Sequence, residues 1–408
     1  MQATRSTYQF VLRRPFATGI ALVAPLCAAA LVACGGSSSG MASGTSAAGS
    51  ETIASGTITG FGSVFVNGIE YDTSNAAVTD DLGNAQPASV LKLGMQVDLA
   101  GQDPASNGIG SAATIVYGST ILGLVSAVNA TDASSGTLTV LGQEVDVNAN
   151  TVFDSTIANG IGGVTPGSVV EVFALYDTAT SRYVASRIGL VTGATMYKLR
   201  GSVSNLNTET KTFNIGAALI DYSAVTTLPD GFFNGAIVTT QLQTTMGPSA
   251  WLATGMLQHM TTRPGVKVTV HVRGLISAES NSAAFTLDGW PIDASNAVFP
   301  SGQQVIVPGA LVQVDGIMTN GAISASTVDI QQPGSHGGLD FQVHGPIDSV
   351  DTTAQTFVLR GQTVSYAGNV TYTGGSVASI VAGTHVMVQG TLTTDGSSVQ
   401  AVMIRVGV

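Results

Sequence analysis

The stretch FQVHGPIDSVDTTAQTFVLRGQTVSYAG, residues 341–368, decides how the chain reads. Apolar residues alternate into a glycine (Phe341, Val343, Gly345) and continue through Ile347 and Val350. A short strand, Thr356 to Leu359, turns at Arg360-Gly361-Gln362 and returns through Thr363 to Tyr366. Beyond it come a helix-like patch (Ser376 to Val381), a turn at Ala382-Gly383, the strand Thr384 to Gly390, and a last strand from Val399 to Val406. Period-two alternation between turn signals is the mark of half-buried strands.

Four earlier segments repeat this order, aligned by three glycines. The first-strand glycines are Gly56, Gly123, Gly201, Gly274 and Gly345; the hairpin glycines are Gly68, Gly142, Gly216, Gly289 and Gly361. The third set, ahead of the fourth strand, is Gly94, Gly167, Gly235, Gly309 and Gly383. Spacings of 67, 78, 73 and 71 between first-strand glycines are too long for a propeller blade or a solenoid rung, so each copy reads as a small domain. Asn67-Gly68 and Asp288-Gly289 are strong hairpin signals. The order strand, strand, strand, short helix, strand, strand predicts an all-β chain of tandem five-stranded barrels, OB-like, with an SH3-like or meander barrel as the alternative. Strands of about five to seven residues are expected, too short to cross a bilayer as a transmembrane barrel. The third copy departs most: its fourth strand, Ala236 to Leu242, is polar, and Trp251 opens its fifth.

The repeats occupy 53–118, 119–193, 194–262 (divergent), 266–332 and 339–408. Gln332 to Gly338 is the one long Pro/Gly hinge, which predicts a rod of four independently cored barrels with the fifth free to swing.

Residues 1–33 read as an export signal, with Arg5, Arg13 and Arg14 ahead of an apolar run from Phe16 to Val32. The run ends in Leu31-Val32-Ala33-Cys34, which resembles the bacterial lipobox. That resemblance implies a diacylglycerol thioether on Cys34, cleavage before it and acylation (palmitate or a similar chain) of the new amine. Gly35 in place of Asp implies sorting to the outer membrane. An ordinary secretory signal or a retained membrane helix is the alternative. Residues 34–52, rich in Gly and Ser, form a flexible linker spanning roughly 23 Å as a coil. Cys27 leaves with the signal, so no disulfide is expected in the mature chain.

The repeats resemble the bacterial family known as domain of unknown function 5666. The residues that carry this are Phe65-Val66-Asn67-Gly68 and Leu93-Gly94-Met95-Gln96-Val97, most clearly in copies one, four and five. The resemblance implies a fold and an exported location, and no activity.

The formal charge of −11 becomes −14 once three signal arginines are removed, leaving 11 basic against 25 acidic residues. Such a field disfavours nucleic acid. The five histidines (His259, His271, His336, His344, His385) fall in no metal-binding spacing, and no nucleophile elbow is present. No metal, cofactor or catalysis is therefore expected. Asp80-Asp81 and Asp348/Asp351 read as turn caps rather than an acid–base or calcium pair. Trp290, at a hairpin tip, reads either as an aromatic platform for glycan or peptide or as packing between barrels, and Phe61 and Tyr71 read either as lining the first barrel's open face or as core. Trp251 reads as core. The expected partners are the lipid bilayer, through acylated Cys34, and envelope proteins or glycans.

Overall fold

A computed structural model describes residues 51–104, 108–258, 267–303, 306–330 and 341–407. The signal, Cys34, nearly all of the linker, His259, His336 and the 332–338 hinge lie outside the described residues.

Every repeat follows one circuit of strand pairing. In barrel 2 the first strand (Ile121–Ala130) pairs antiparallel with the second (Gly136–Val140), which pairs with the third (Gln143–Val147). The third runs parallel to the fifth (Arg182–Leu190), the fifth pairs with the fourth (Val169–Asp177), and the fourth returns to the first. Numbered within the repeat, the ring is 1-2-3-5-4-1. The same circuit recurs in barrel 1, barrel 3, barrel 4 and barrel 5. In barrel 5 the first strand is interrupted, as Phe341–Pro346 and Ser349–Asp351.

The glycines mark where each ring is fastened. In barrel 1 the Gly94 N–H donates to the Ile58 carbonyl, while the Ile58 N–H donates to the Met95 carbonyl, both at 2.9 Å. The reciprocal pair recurs at Val125 with Gly167 and Ser168, and at Val203 with Gly235 and Ala236. It recurs again at Ile276 with Gly309 and Ala310, and at Ile347 with Gly383 and Thr384. In all five the braced residue lies two places after the first-strand glycine. There the first strand stops pairing with strand four and starts pairing with strand two: Thr57 still opposes Gln96, whereas Ile58 opposes Val66. A brace at the switch lets one long strand serve both halves of a closed ring. The third glycine has φ between +81° and +98° in all five repeats, a conformation costly to any residue with a Cβ.

This sharing explains why the strands exceed the expected five to seven residues. The first strands of barrels 1 to 4 run 11, 10, 11 and 14 residues, each divided between two partners. Strand length therefore no longer argues against a membrane barrel. The side-chain pattern does, because the rings enclose apolar cores and turn half-exposed residues such as Gln96 and Asp98 outward. Among the described residues no helix is long and apolar enough to cross a membrane. The polar fourth strand of barrel 3 closes as the others do. Its Thr239 and Thr240 are buried, and Thr240 Oγ1 donates to the Leu199 carbonyl at 2.9 Å.

The predicted rod of independent beads is not what forms. The first strand of barrel 1, Glu51–Phe61, runs parallel to that of barrel 4 over Thr52–Ser55 against Thr269–Val272. It also runs parallel to the first strand of barrel 5, Gly60 opposing Gln342 and Phe61 opposing Val343. Barrels 2 and 3 join where Lys198 and Leu199 oppose Leu122 and Ile121. Cores fuse accordingly: one cluster holds the interiors of barrels 1 and 5 together with Val152 and Phe173 of barrel 2. A second unites barrels 2 and 3, and barrel 4 has its own. With only 10% charged residues and no disulfide among the described residues, the barrels gain core by sharing it.

A matched pair of substitutions tests the brace. A Cβ at Gly167 meets nothing within 4 Å, whereas one at Gly94 meets Ser186 and Arg187 of barrel 2. Gly167→Ala is expected to cost about 1–2 kcal/mol from backbone conformation alone. Gly94→Ala is expected to cost about 1–3 kcal/mol more from overpacking, read from urea midpoints.

Candidate functional site

The three aromatic residues singled out by the sequence are not brought together. Phe61 and Tyr71 are buried in the core shared by barrels 1 and 5, so neither lines an open face. Trp290 opens the third strand of barrel 4 (Trp290–Asp293) and packs, half-buried, against that barrel's core. The hairpin tip before it is occupied by barrel 3. Arg200 Nη2 donates to Asp288 Oδ2 at 2.9 Å, and Ile237 lies against Gly289. The inter-barrel contacts at this tip are made by Asp288 and Gly289, whereas Trp290 itself packs on its own barrel.

Charged side chains converge on the same region. Lys198, 5% exposed, reaches across to barrel 1 and holds both Asp81 oxygens at 2.7 and 2.9 Å. Asp80 does cap its turn, accepting from the N–H groups of Leu82 and Asn84, but its neighbour Asp81 serves this tie. Asp351 caps as expected, accepting from Thr353 and Ala354. Arg187, also buried, donates to Asp154 at 2.6 Å and to the Leu93 carbonyl of barrel 1 at 3.1 Å. Burial lowers its pKa, which Asp154 and Glu171 partly restore. Burial likewise raises Glu171, with Arg187 and Lys198 pulling it back. Arg200 is held above the ordinary guanidinium value by Asp288 against the effect of burial, and its Nε has no partner among the described residues.

Three of these groups, Asp81, Arg200 and Asp288, line a cleft between barrels 1, 2, 3 and 4 together with Asp98, Tyr117 and Arg273. Its volume of about 110 Å³ is a few waters' worth, against roughly 300–1,000 Å³ for a small-molecule pocket. The cleft is a polar seam between barrels rather than a substrate chamber. Among the described residues no group of three or more His, Cys, Asp or Glu could hold a metal ion.

A second, apolar cleft lies between barrels 2 and 3. Leu124, Leu141, Leu219, Met246 and Trp251 line about 320 Å³ of space, with Ser126 and Ser249 among the polar lining groups. Trp251, read from sequence as core, is only half-buried and stands edge-on to Tyr197 at 5.9 Å. Its strand opens the fifth position of barrel 3 (Trp251–Gln258), which places the indole at the rim and not inside the ring.

Residues 123–189 and 344–405, in barrels 2 and 5, match a family model described as "Domain of unknown function (DUF5666)". Two of the five repeats are thus similar to DUF5666. The matched regions are copies two and five; copies one and four, where the sequence makes the resemblance read most clearly, lie outside them, and the braced ring is common to all five. A comparison with curated proteins finds no match. Among solved structures, a chain titled "drosophila Unr CSD456" is similar at 12% identity and a TM-score of 0.14, covering 53% of this chain and 98% of that one.

The Lys198–Asp81 tie gives a direct test of how the seam is held. Removing one partner of a largely buried pair strands the other, so Asp81→Ala is expected to cost about 2–4 kcal/mol. The double variant Lys198→Met with Asp81→Leu should cost clearly less than the sum of the single changes in a urea double-mutant cycle. Single changes that each cost under about 0.5 kcal/mol, the level of an ordinary surface change, would show that the pair holds nothing.

Proposed function

We propose that this is a non-catalytic, lipid-anchored protein of the bacterial cell envelope, tethered to the outer membrane through acylated Cys34 and acting as a structural spacer or protein-interaction module. The observation that carries this reading is where the charged side chains go. Lys198, Arg187 and Arg200 each cross from one barrel to another and end on a carboxylate or a main-chain carbonyl, and the cleft beside Arg200 is too small for a metabolite. Side chains fixed in this way hold a scaffold together and are poor candidates for proton transfer or nucleophilic attack. The leader, the Leu31-Val32-Ala33-Cys34 sequence and the Gly/Ser linker support an anchored, exported body.

Mass spectrometry of the native N-terminal peptide tests the anchor. The expected species begins at Cys34 and carries a diacylglycerol thioether and an amide-linked acyl chain, and Cys34→Ser should move the protein from the membrane to the soluble fraction. An unmodified Cys34, or a Cys34→Ser protein still in the membrane, would contradict it. Capture of envelope proteins by the acylated chain would then identify the partner.

Ligand binding, the second reading, is favoured by one observation: the apolar cleft beside Trp251 reaches the lower end of ligand-pocket volumes. The reading therefore moves from Trp290 to Trp251. Titration with glycans and with apolar peptides should change the indole emission of the wild type and not of Trp251→Phe. A response that survives in Trp251→Phe and disappears in Trp290→Phe would return the site to barrel 4.

A further inference from the structure

Histidine 271 sits where barrel 4 meets barrel 1. On the first strand of barrel 4 (Val268–Asn281), it opposes Ala54 across the parallel seam and Asp315 within its own barrel. Its ring lies between two carboxylates: Nδ1 is 2.7 Å from Asp315 Oδ1, and Nε2 is 3.0 Å from Asp103 Oδ1 of barrel 1. The main chain is fastened at the same point. The Asn67 side-chain amide of barrel 1 donates to the His271 carbonyl at 2.8 Å and to the Ser55 carbonyl at 2.9 Å.

A neutral imidazole has one N–H and one lone pair. Between two carboxylates it donates to one and turns its lone pair on the other, which is repulsive. Only the imidazolium donates to both. The bond to Asp103 crosses between barrels, whereas the bond to Asp315 stays within barrel 4. Protonation therefore decides whether both contacts attract at once, and in the neutral tautomer that keeps the shorter bond to Asp315 the contact that turns repulsive is the inter-barrel one.

Among the described residues, other titratable, charged or polar groups also lie near the ring. Tyr71, from the third strand of barrel 1, is buried with its hydroxyl unpartnered among the described residues, and its pKa is raised by burial, then by Asp103 and Asp315. Arg273 lies two residues further along the histidine's own strand. Gln313, from the fourth strand of barrel 4, directs its amide towards Asp315 at 3.5 Å.

We propose that His271 is a pH-dependent clasp, closed as the imidazolium between Asp103 and Asp315, that holds the parallel seam of barrels 1 and 4 and loosens when the proton leaves. Burial opposes the charge, but hydrogen bonds to Asp315 and Asp103 outweigh it, so the folded pKa lies above the ordinary value. A raised pKa means that the clasp contributes fully below about pH 6.5 and is lost as pH rises through the folded value. The inference does not depend on the lipid anchor and stands or falls separately from it.

The test uses the full chain with ¹⁵N-labelled histidine, titrated from about pH 6 to about pH 9, a window that spans the ordinary imidazole pKa. His271→Gln, or the shift caused by Asp103→Asn, assigns the resonance, so loss of either variant does not end the experiment. His271 should carry protons on both nitrogens at the low end and titrate above the ordinary value. Hydrogen exchange over 52–55 and 269–272, corrected for the intrinsic rate, should show protection falling across the same window in wild type and flat in Asp103→Asn. A His271 that titrates at or below the ordinary value, or a seam whose protection has the same pH profile in both proteins, would overturn the clasp.

Discussion

The first strand of barrel 1 has hydrogen-bonding partners on both edges, and the arrangement of the molecule follows from that saturation. A strand that pairs on one side alone leaves a row of N–H and C=O groups that water or another chain must satisfy. Over Thr52–Ser55 this strand has barrel 1's own fourth strand on one edge and barrel 4 on the other. Over Gly60–Phe61 it has its own second strand on one edge and barrel 5 on the other. Gly60 is required there, because a Cβ would collide with the Gln342 carbonyl. One strand thus belongs to one ring and pairs with the first strands of two others, which turns a set of repeats into a joined body.

The braces make that sharing possible. A strand serving two sheets must bend, and a bend leaves backbone groups without ladder partners. The reciprocal bonds between Ile58 and the Gly94-Met95 turn occupy those groups at the bend in barrel 1, and their counterparts do so in every other ring. The first-strand glycine serves the same bend from the other side. Leu141 covers Gly123, Ile215 covers Gly201 and Asn67 covers Gly56, each lying where a Cβ would otherwise be. All three recurring glycines are thus parts of one joint.

This joint explains what the sequence disclosed. Glycine is the residue that a tight turn and a close approach demand, so its spacing exposed the repeat, the hairpins and the short turn of helix, found at Ala88–Val90 and Val377–Ser379. Alternation exposed strand four and the all-β class. The contacts between barrels were hidden, because they rest on residues whose partners are far away in the chain. Asp81 looked like a turn cap and lies 117 positions from Lys198; His271 looked like an unremarkable strand residue and lies 168 from Asp103. Trp251 misled for a related reason. Period two tells which face of a strand is buried in its own ring, and it carries no information about a neighbouring ring covering the outer face.

Hydrogen exchange on the full chain carrying Gly60→Val tests most directly whether the first strand of barrel 1 holds its neighbours. The bulkier side chain presses on the Gln342 carbonyl and strikes Phe65 of its own barrel. Protection should fall in Phe341–Pro346 of barrel 5 as well as in barrel 1, while the first strand of barrel 3, Tyr197–Asn207, keeps its protection. Barrel 5 unchanged while barrel 1 loosens would contradict the account and return the repeats to independent modules.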